Sequence, residues 1–323
     1  MKFYLSFRSS EKTIAIITFG LVLALPFALA FNPYYLSIFI SALILGSVSL
    51  AWNLLAGGCG QVSFGHAAFF GIGAYASALL VMKAGWNPFL AMVVAAMIGV
   101  IGALIIGIPA FRLRGPYFAL SILGFAEVMK LLTLNLTSLT EGSKGIFNIS
   151  SLPPIRLGGM ALEFYYSRTT NYYFAAALMF AIYLVIYFFR HSNTGLAMSA
   201  VHGDEETAAG IGVPVFRTKV TALIVSAFCT ALIGAFYTHY VHFLSPDSAF
   251  DGYWSVMPIV ASLFGGIGTL IGPSIGALVI TGLDEFLFKR FFETGHKLFF
   301  GLLLAIVIVW APVGLLGKWM EKK

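Results

Sequence analysis

Residues Arg190–Lys219 read RHSNTGLAMSAVHGDEETAAGIGVPVFRTK, a polar interval between two long apolar runs, 170–189 and 219–242. The interval is too charged to lie in lipid, and its flanks are too apolar to lie in water. It also carries a helical pattern of its own. Asp204 suits an N-cap, where its carboxylate accepts an unpaired backbone N–H, and Glu205 and Glu206 then fall in a first turn where the helix dipole favours negative charge. Ala208 and Ile211 are expected to share the face led by Asp204. Gly210, Gly212 and Pro214 predict the end, because glycine accepts a left-handed exit and proline cannot continue the ladder. A short amphipathic helix held between two spans, basic at both ends, suits a handle gripped by a partner. An ordinary solvated loop helix has the same pattern.

Composition agrees with the flanks. Apolar residues make up 59% and charged residues 10% of the 323 positions, against about 45–50% and 25% in a soluble domain. Several runs reach the roughly 20 residues needed to cross hydrocarbon. The expected fold is all-α, a polytopic transmembrane helical bundle; a membrane β-barrel would alternate polar and apolar residues instead. Ten spans are placed: 13–31, 35–56, 63–82, 88–110, 116–137, 170–189, 219–242, 254–270, 272–288 and 297–315. Thr13–Ala30 is followed at once by another span and reads as a retained first helix, not a cleaved leader.

Placing the N-terminus in the cytoplasm puts eleven basic residues inside and seven outside, with Lys130 within a span. That bias favours both termini and the 190–219 segment on the cytoplasmic side. The longest external segment is then 138–169, and residues 1–323 form a single transmembrane domain. No G-x-x-x-x-G-K-[ST] is present, so ATP-driven work would need another polypeptide. The scattered histidines and the two cysteines, Cys59 and Cys229, lack metal-site spacing, and no cofactor, metal or nucleic acid is expected.

Two constellations could line a path. The glycine-rich run 57–74 places Gln61, Ser63 and His66 near the entrance of the third span, where polar side chains need partners inside protein. The glycines themselves are better read as close helix packing, whereas Gln61 and His66 fit either reading. Glu127 and Lys130 sit mid-way along the fifth span. Two ionised groups there cost about 2.5–3.5 kcal/mol each, while ten Leu, Ile, Val and Phe return about 0.3–0.6 each. The sums nearly cancel, so this face of the helix should avoid lipid, and the i,i+3 spacing lets the pair neutralise itself. Asp284 and Glu285 fall near a span end, at headgroup level. Gly57-Gly58-Cys59-Gly60 is weakly echoed by Gly265-Gly266-Ile267-Gly268.

Several runs resemble one family. NLLAGGCGQVSFGHAAFFGIGAYASALL (Asn53–Leu80), RLRGPYFALSILGFAEV (Arg112–Val128), GLAMSAVHGDEETAAGIGVPVFRTK (Gly195–Lys219) and LFGGIGTLIGPSIGALV (Leu263–Val279) look like the LivM-type permeases of branched-chain amino-acid ABC importers. The resemblance implies a LivH-like permease partner, two cytoplasmic ATPase subunits and an external solute-binding protein. It implies that the 190–219 helix is the coupling helix, with Asp204, Glu205, Ala208 and Gly212 toward the ATPase. His202 stands where the family usually has arginine, Thr207 where it has alanine, and Glu141 replaces a glycine in Thr140–Ile146.

The expected function is therefore a permease subunit, not an enzyme, in a bacterial or archaeal cell membrane, with Gln61, Ser63, His66, Glu127 and Lys130 as candidates for the translocation path. An ion-coupled transporter or channel acting alone would need an intramembrane carboxylate, and Glu127 is the candidate for it. Urea and short-amide permeases resemble the same family.

Overall fold

The computed structural model describes residues 9–29, 31–113, 116–157 and 160–288. The expected span 297–315 and the basic residues from Lys289 onward lie outside the described residues.

The long helices begin and end on local signals. Helix α2 (Pro33–Cys59) and helix α4 (Pro88–Ala110) each start with an asparagine cap, Asn32 or Asn87, followed by a proline at the first helical position, where the missing N–H costs nothing. Gly60 closes α2 in the left-handed region (φ 72°), a conformation glycine adopts without strain. Around them lie α1 (Ser9–Ala28), α3 (His66–Met82), α5 (Pro116–Asn135), α7 (Arg168–Arg190) and α10 (Val215–Val241). Two shorter helices, α12 (Tyr253–Gly265) and α13 (Gly272–Leu283), follow, and α13 runs on into a π-turn over Asp284–Phe288.

Helix α2 is the axis of the bundle. Its apolar stretch is 89% buried, enclosed by α7, α10, α12 and α13. Helix α10 packs against α3 and α4 on the other side. The α3–α10 crossing is made by two glycines. A β-carbon on Gly73 would overlap the Ala231 carbonyl, and one on Gly234 would overlap the Phe70 carbonyl. Two backbones can approach this closely only without side chains between them.

Among the described residues five helices, α2, α4, α5, α7 and α10, are long and apolar enough to cross a membrane. The apolar helices Thr13–Ala28 and His66–Met82 are shorter. Helix α12 has 13 residues, about 20 Å at 1.5 Å per residue, short of the roughly 30 Å hydrocarbon layer. The chain uses the difference by folding back after α10: Phe250 packs against Gly71 and Tyr75, and Trp254 stacks on Phe70 at 4.0 Å. Helix α13 with its π-turn follows α2 for most of its length, from Thr269 beside Asn53 to Glu285 beside Tyr34.

The loops collect at two ends. At one, the 138–169 segment begins within helix α6 (Thr137–Thr140) and carries strand β1 (Ile146–Phe147) and the paired strands β2 and β3 (Ile155–Leu157, Met160–Leu162). Strand β1 pairs with β4 (Phe243–Leu244), which follows α10, and ties this segment down. At the other end lie the α2–α3 elbow (60–65), the 190–214 segment and the turn 266–271.

Candidate functional site

The 190–214 segment contains two helices, where the sequence predicts one. Ser192 caps α8 (Asn193–Gly203), and Asp204 caps α9 (Glu205–Gly210), its carboxylate accepting Thr207 N–H at 2.6 Å. The Thr207 side chain first, and this backbone bond second, hold the Asp204 carboxyl below the usual carboxylate range. Glu205 and Glu206 occupy the first turn as expected, and Gly212 takes the left-handed exit at φ 86°. The expected shared face does not form. Ala208 is buried against the rest of its own chain, whereas Ile211 lies beyond the helix end and is 75% exposed.

The segment is tied to the bundle through the α2–α3 elbow. Glu205 Oε1 accepts Gln61 Nε2 at 3.0 Å and pairs with Lys219 Nζ at 2.5 Å. Residues expected to serve separately, Gln61 on a path and Glu205 on a partner, thus meet on one oxygen. Lys219, in the first turns of α10, is only 8% exposed at its side chain, against 47% for Glu205. Beside this link, His202 packs on Gly60, and Arg190 donates to the Gly268 carbonyl at 2.8 Å.

Beneath it the elbow is fixed from several sides. Trp52 Nε1 donates to the Ser63 carbonyl at 2.7 Å. His66 Nδ1 lies 3.1 Å from Ser63 Oγ, and Nε2 lies 2.9 Å from Ser226 Oγ. Ser226 Oγ donates its proton to the Ala51 carbonyl at 2.7 Å, so it accepts from His66 Nε2. In the neutral ring, Nδ1 then accepts from Ser63. Ser63 and His66 are fully buried, and both brace the elbow. Asn53 joins the two glycine stretches that echo each other in sequence: its amide donates to Thr269 O at 2.7 Å and accepts Gly268 N–H at 3.0 Å. Gly57 leaves room for that contact, since a β-carbon there would lie 2.7 Å from Gly268 N.

The charges on α5 are arranged differently from expectation. Lys130 pairs with Asp247 at 2.8 Å, not with Glu127. Asp247 lies in α11 (Pro246–Ala249), the turn that folds back after α10 and packs against α5. Glu127 sits on the exposed side of α5, the least buried of the five long apolar helices. The opposite face, through Phe118, Ile122 and Ala126, is buried, and Gly65 packs directly on Ile122.

A sequence profile described as the permease component of branched-chain amino acid transport systems matches residues 34–309. The chain belongs to that family. It is 28% identical over 286 residues to the high-affinity branched-chain amino acid transport permease LivM of Escherichia coli, covering 83% of this chain and 67% of that protein. It is 27% identical over 307 residues to the corresponding permease LivH of Salmonella typhimurium, covering 88% and 96%. A probable LivM of Methanocaldococcus jannaschii is 24% identical over 280 residues, covering 77% and 78%. No solved structure matches the chain. This protein is a multi-pass membrane permease component of branched-chain amino acid transport, and transport, not catalysis, is its work.

Sequence reasoning missed four groups that organise the permease's site: Asn53, Lys219, Ser226 and Asp247. Lys219 carried a signal, being a lysine at the first turns of an apolar run. The other three look like ordinary polar residues until the helices are packed. In the permease His202 is half-buried, and burial first and the neighbouring Arg190 second hold its ring below the usual imidazole range.

Proposed function

We propose that the chain is the LivM-type subunit of an ABC importer, paired with a LivH-like permease and driven by two cytoplasmic ATPase subunits. An external binding protein delivers a branched-chain amino acid or a related solute. The 190–219 segment faces the cytoplasm and docks on one ATPase. The observation that carries this reading is the form of the α8–α9 unit. It is tied to the bundle by Glu205 and Arg190, yet it offers outward Asp204, Glu206 and an isoleucine, Ile211, that is three-quarters exposed. An exposed aliphatic tip in a charged segment fits a partner's hydrophobic cleft. Asp204 and Gly212 set the shape of the unit, Glu205 ties it, and Ala208 seats it on its own chain.

Solute moves along the exposed side of α5. Glu127 and Lys130 lie in this helix, and a charge facing hydrocarbon is expensive, so their side faces the second permease subunit across a polar route. Gln61 is half-buried beside the inner mouth, with Ser63 and His66 behind it. At the opposite end, the 138–169 segment and Lys83, which donates to Ser138 O at 2.9 Å, receive the binding protein.

Cross-linking tests the docking. The native cysteines Cys59 and Cys229 are buried, so Ile211→Cys supplies a reactive thiol at the tip of the segment. In the assembled complex it should cross-link to an ATPase subunit with a short bifunctional reagent. Labelling of that cysteine only from outside sealed cells would refute the orientation and the docking together.

A further inference from the structure

We propose that Lys219 is a positioning residue for energy coupling: through Glu205 and Gln61 it latches the α8–α9 unit to the α2–α3 elbow, and the elbow passes movement of that unit to α5. This rests on the reading of 190–219 as the ATPase-docking segment.

Three observations carry it. First, a lysine ammonium buried to this degree is costly unless paired. Among the described residues Lys219 has one ion pair, to Glu205. The cost of burying the cation keeps Glu205 in place, although that carboxylate is half exposed. Second, the same Glu205 oxygen also holds Gln61, so one atom joins α9, α10 and the elbow. Third, the elbow is stiff and rests on α5. Trp52 and His66 fix Ser63, Ser226 of α10 fixes His66, and Gly65 sits against Ile122 with no space for a side chain. Lys219 and Ser226 are seven residues apart on α10, two turns along one face, so α10 holds the elbow at two points. Tightly packed elements transmit a displacement instead of absorbing it. A pull on α9 therefore moves the elbow, and the elbow bears on the helix that carries Glu127 and Lys130.

The test uses the whole complex in proteoliposomes, with its binding protein, internal ATP and labelled leucine, and it reads leucine taken up per ATP hydrolysed. Lys219→Met is expected to lower that ratio at least tenfold while the ATPase subunits still co-purify. Lys219→Arg, which keeps a long cation, should restore it to within about threefold of the native value. Gln61→Leu, at a half-buried position that does not threaten folding, should lower it about threefold. An unchanged ratio in Lys219→Met overturns the proposal. Should that variant fail to assemble, an unchanged ratio in Gln61→Leu overturns it equally. The Ile211→Cys cross-link separates the two readings. A persisting cross-link with an unchanged ratio defeats the latch and leaves docking intact, whereas a cross-link that never forms defeats docking and the latch with it.

Discussion

Replacing Gly73 by alanine tests the backbone contact at the α3–α10 crossing. The added β-carbon would lie 2.6 Å from both the carbonyl carbon and Cα of Ala231 and would overlap the carbonyl oxygen. Carbon–carbon contacts are comfortable at about 3.5–4.0 Å, so the two backbones must part by roughly 0.9 Å. A gap of that size forfeits a quarter to a half of each dispersion well along the interface. Overpacking of this kind costs about 1–3 kcal/mol, and backbone on both sides leaves no flexible side chain to yield. Gly234→Ala should cost a similar amount, because its β-carbon would lie 2.9 Å from the Phe70 carbonyl carbon at the same crossing. The pair should be strongly non-additive: once one methyl has parted the helices, the second finds room, and the double variant should fall at least about 1 kcal/mol short of the sum. Reversible unfolding of the purified permease in mixed micelles, followed by tryptophan fluorescence, measures all three variants. Costs under about 0.5 kcal/mol for each single change, or full additivity, would show that the helices are not in backbone contact.

Other expectations follow from single contacts. Asn53→Leu leaves the Gly268 N–H and Thr269 carbonyl without their side-chain partner; at about 1–3 kcal/mol per buried unsatisfied group, a loss of about 2–6 kcal/mol is expected, and wild-type stability would contradict it. Asp247→Asn should change stability by less than about 1 kcal/mol, because the Lys130–Asp247 pair is 27% and 76% exposed and water screens it; a drop of several kcal/mol in the same unfolding assay would show the pair to be shielded. His202 has its pKa lowered in the folded chain, so the folded state takes up a proton less readily than the opened one. The stability of the α8–α9 unit is then full above about pH 6.5 and falls as pH drops from there toward the lowered value. Hydrogen exchange over residues 193–212, corrected for intrinsic rates, should quicken between pH 7.5 and 5.5 in the native chain and stay flat in His202→Gln.

The helices were legible because continuous apolar runs and asparagine–proline starts are local signals. Segments 35–56, 88–110 and 170–189 fall within or close to α2, α4 and α7. Length was less legible. The polar stretch Ser245–Gly252 marks a break between two apolar runs, but nothing local says that Phe250 and Trp254 fold back onto α3 there. The Asp204 cap was readable, but α8 was not, since Asn193–Gly203 has no strong apolar periodicity. Charge pairing was the hardest part. Spacing on one helix favoured Glu127 for Lys130, whereas the chosen partner, Asp247, comes from 117 positions further along and meets Lys130 only after α10 and α11 are in place. The Gln61–Glu205 contact joins residues 144 positions apart, beyond any local pattern.

The enclosure of α2 also sets an order of events during synthesis. The Asn53 amide waits for Thr269, which leaves the ribosome 216 residues later, about 10–40 s at 5–20 residues per second. For that interval the most protected helix of the finished protein is a half-dressed one, with lipid or a membrane chaperone standing in for neighbours not yet translated. Slowing elongation between α10 and α13 should therefore prolong the window in which quality-control proteases can reach it.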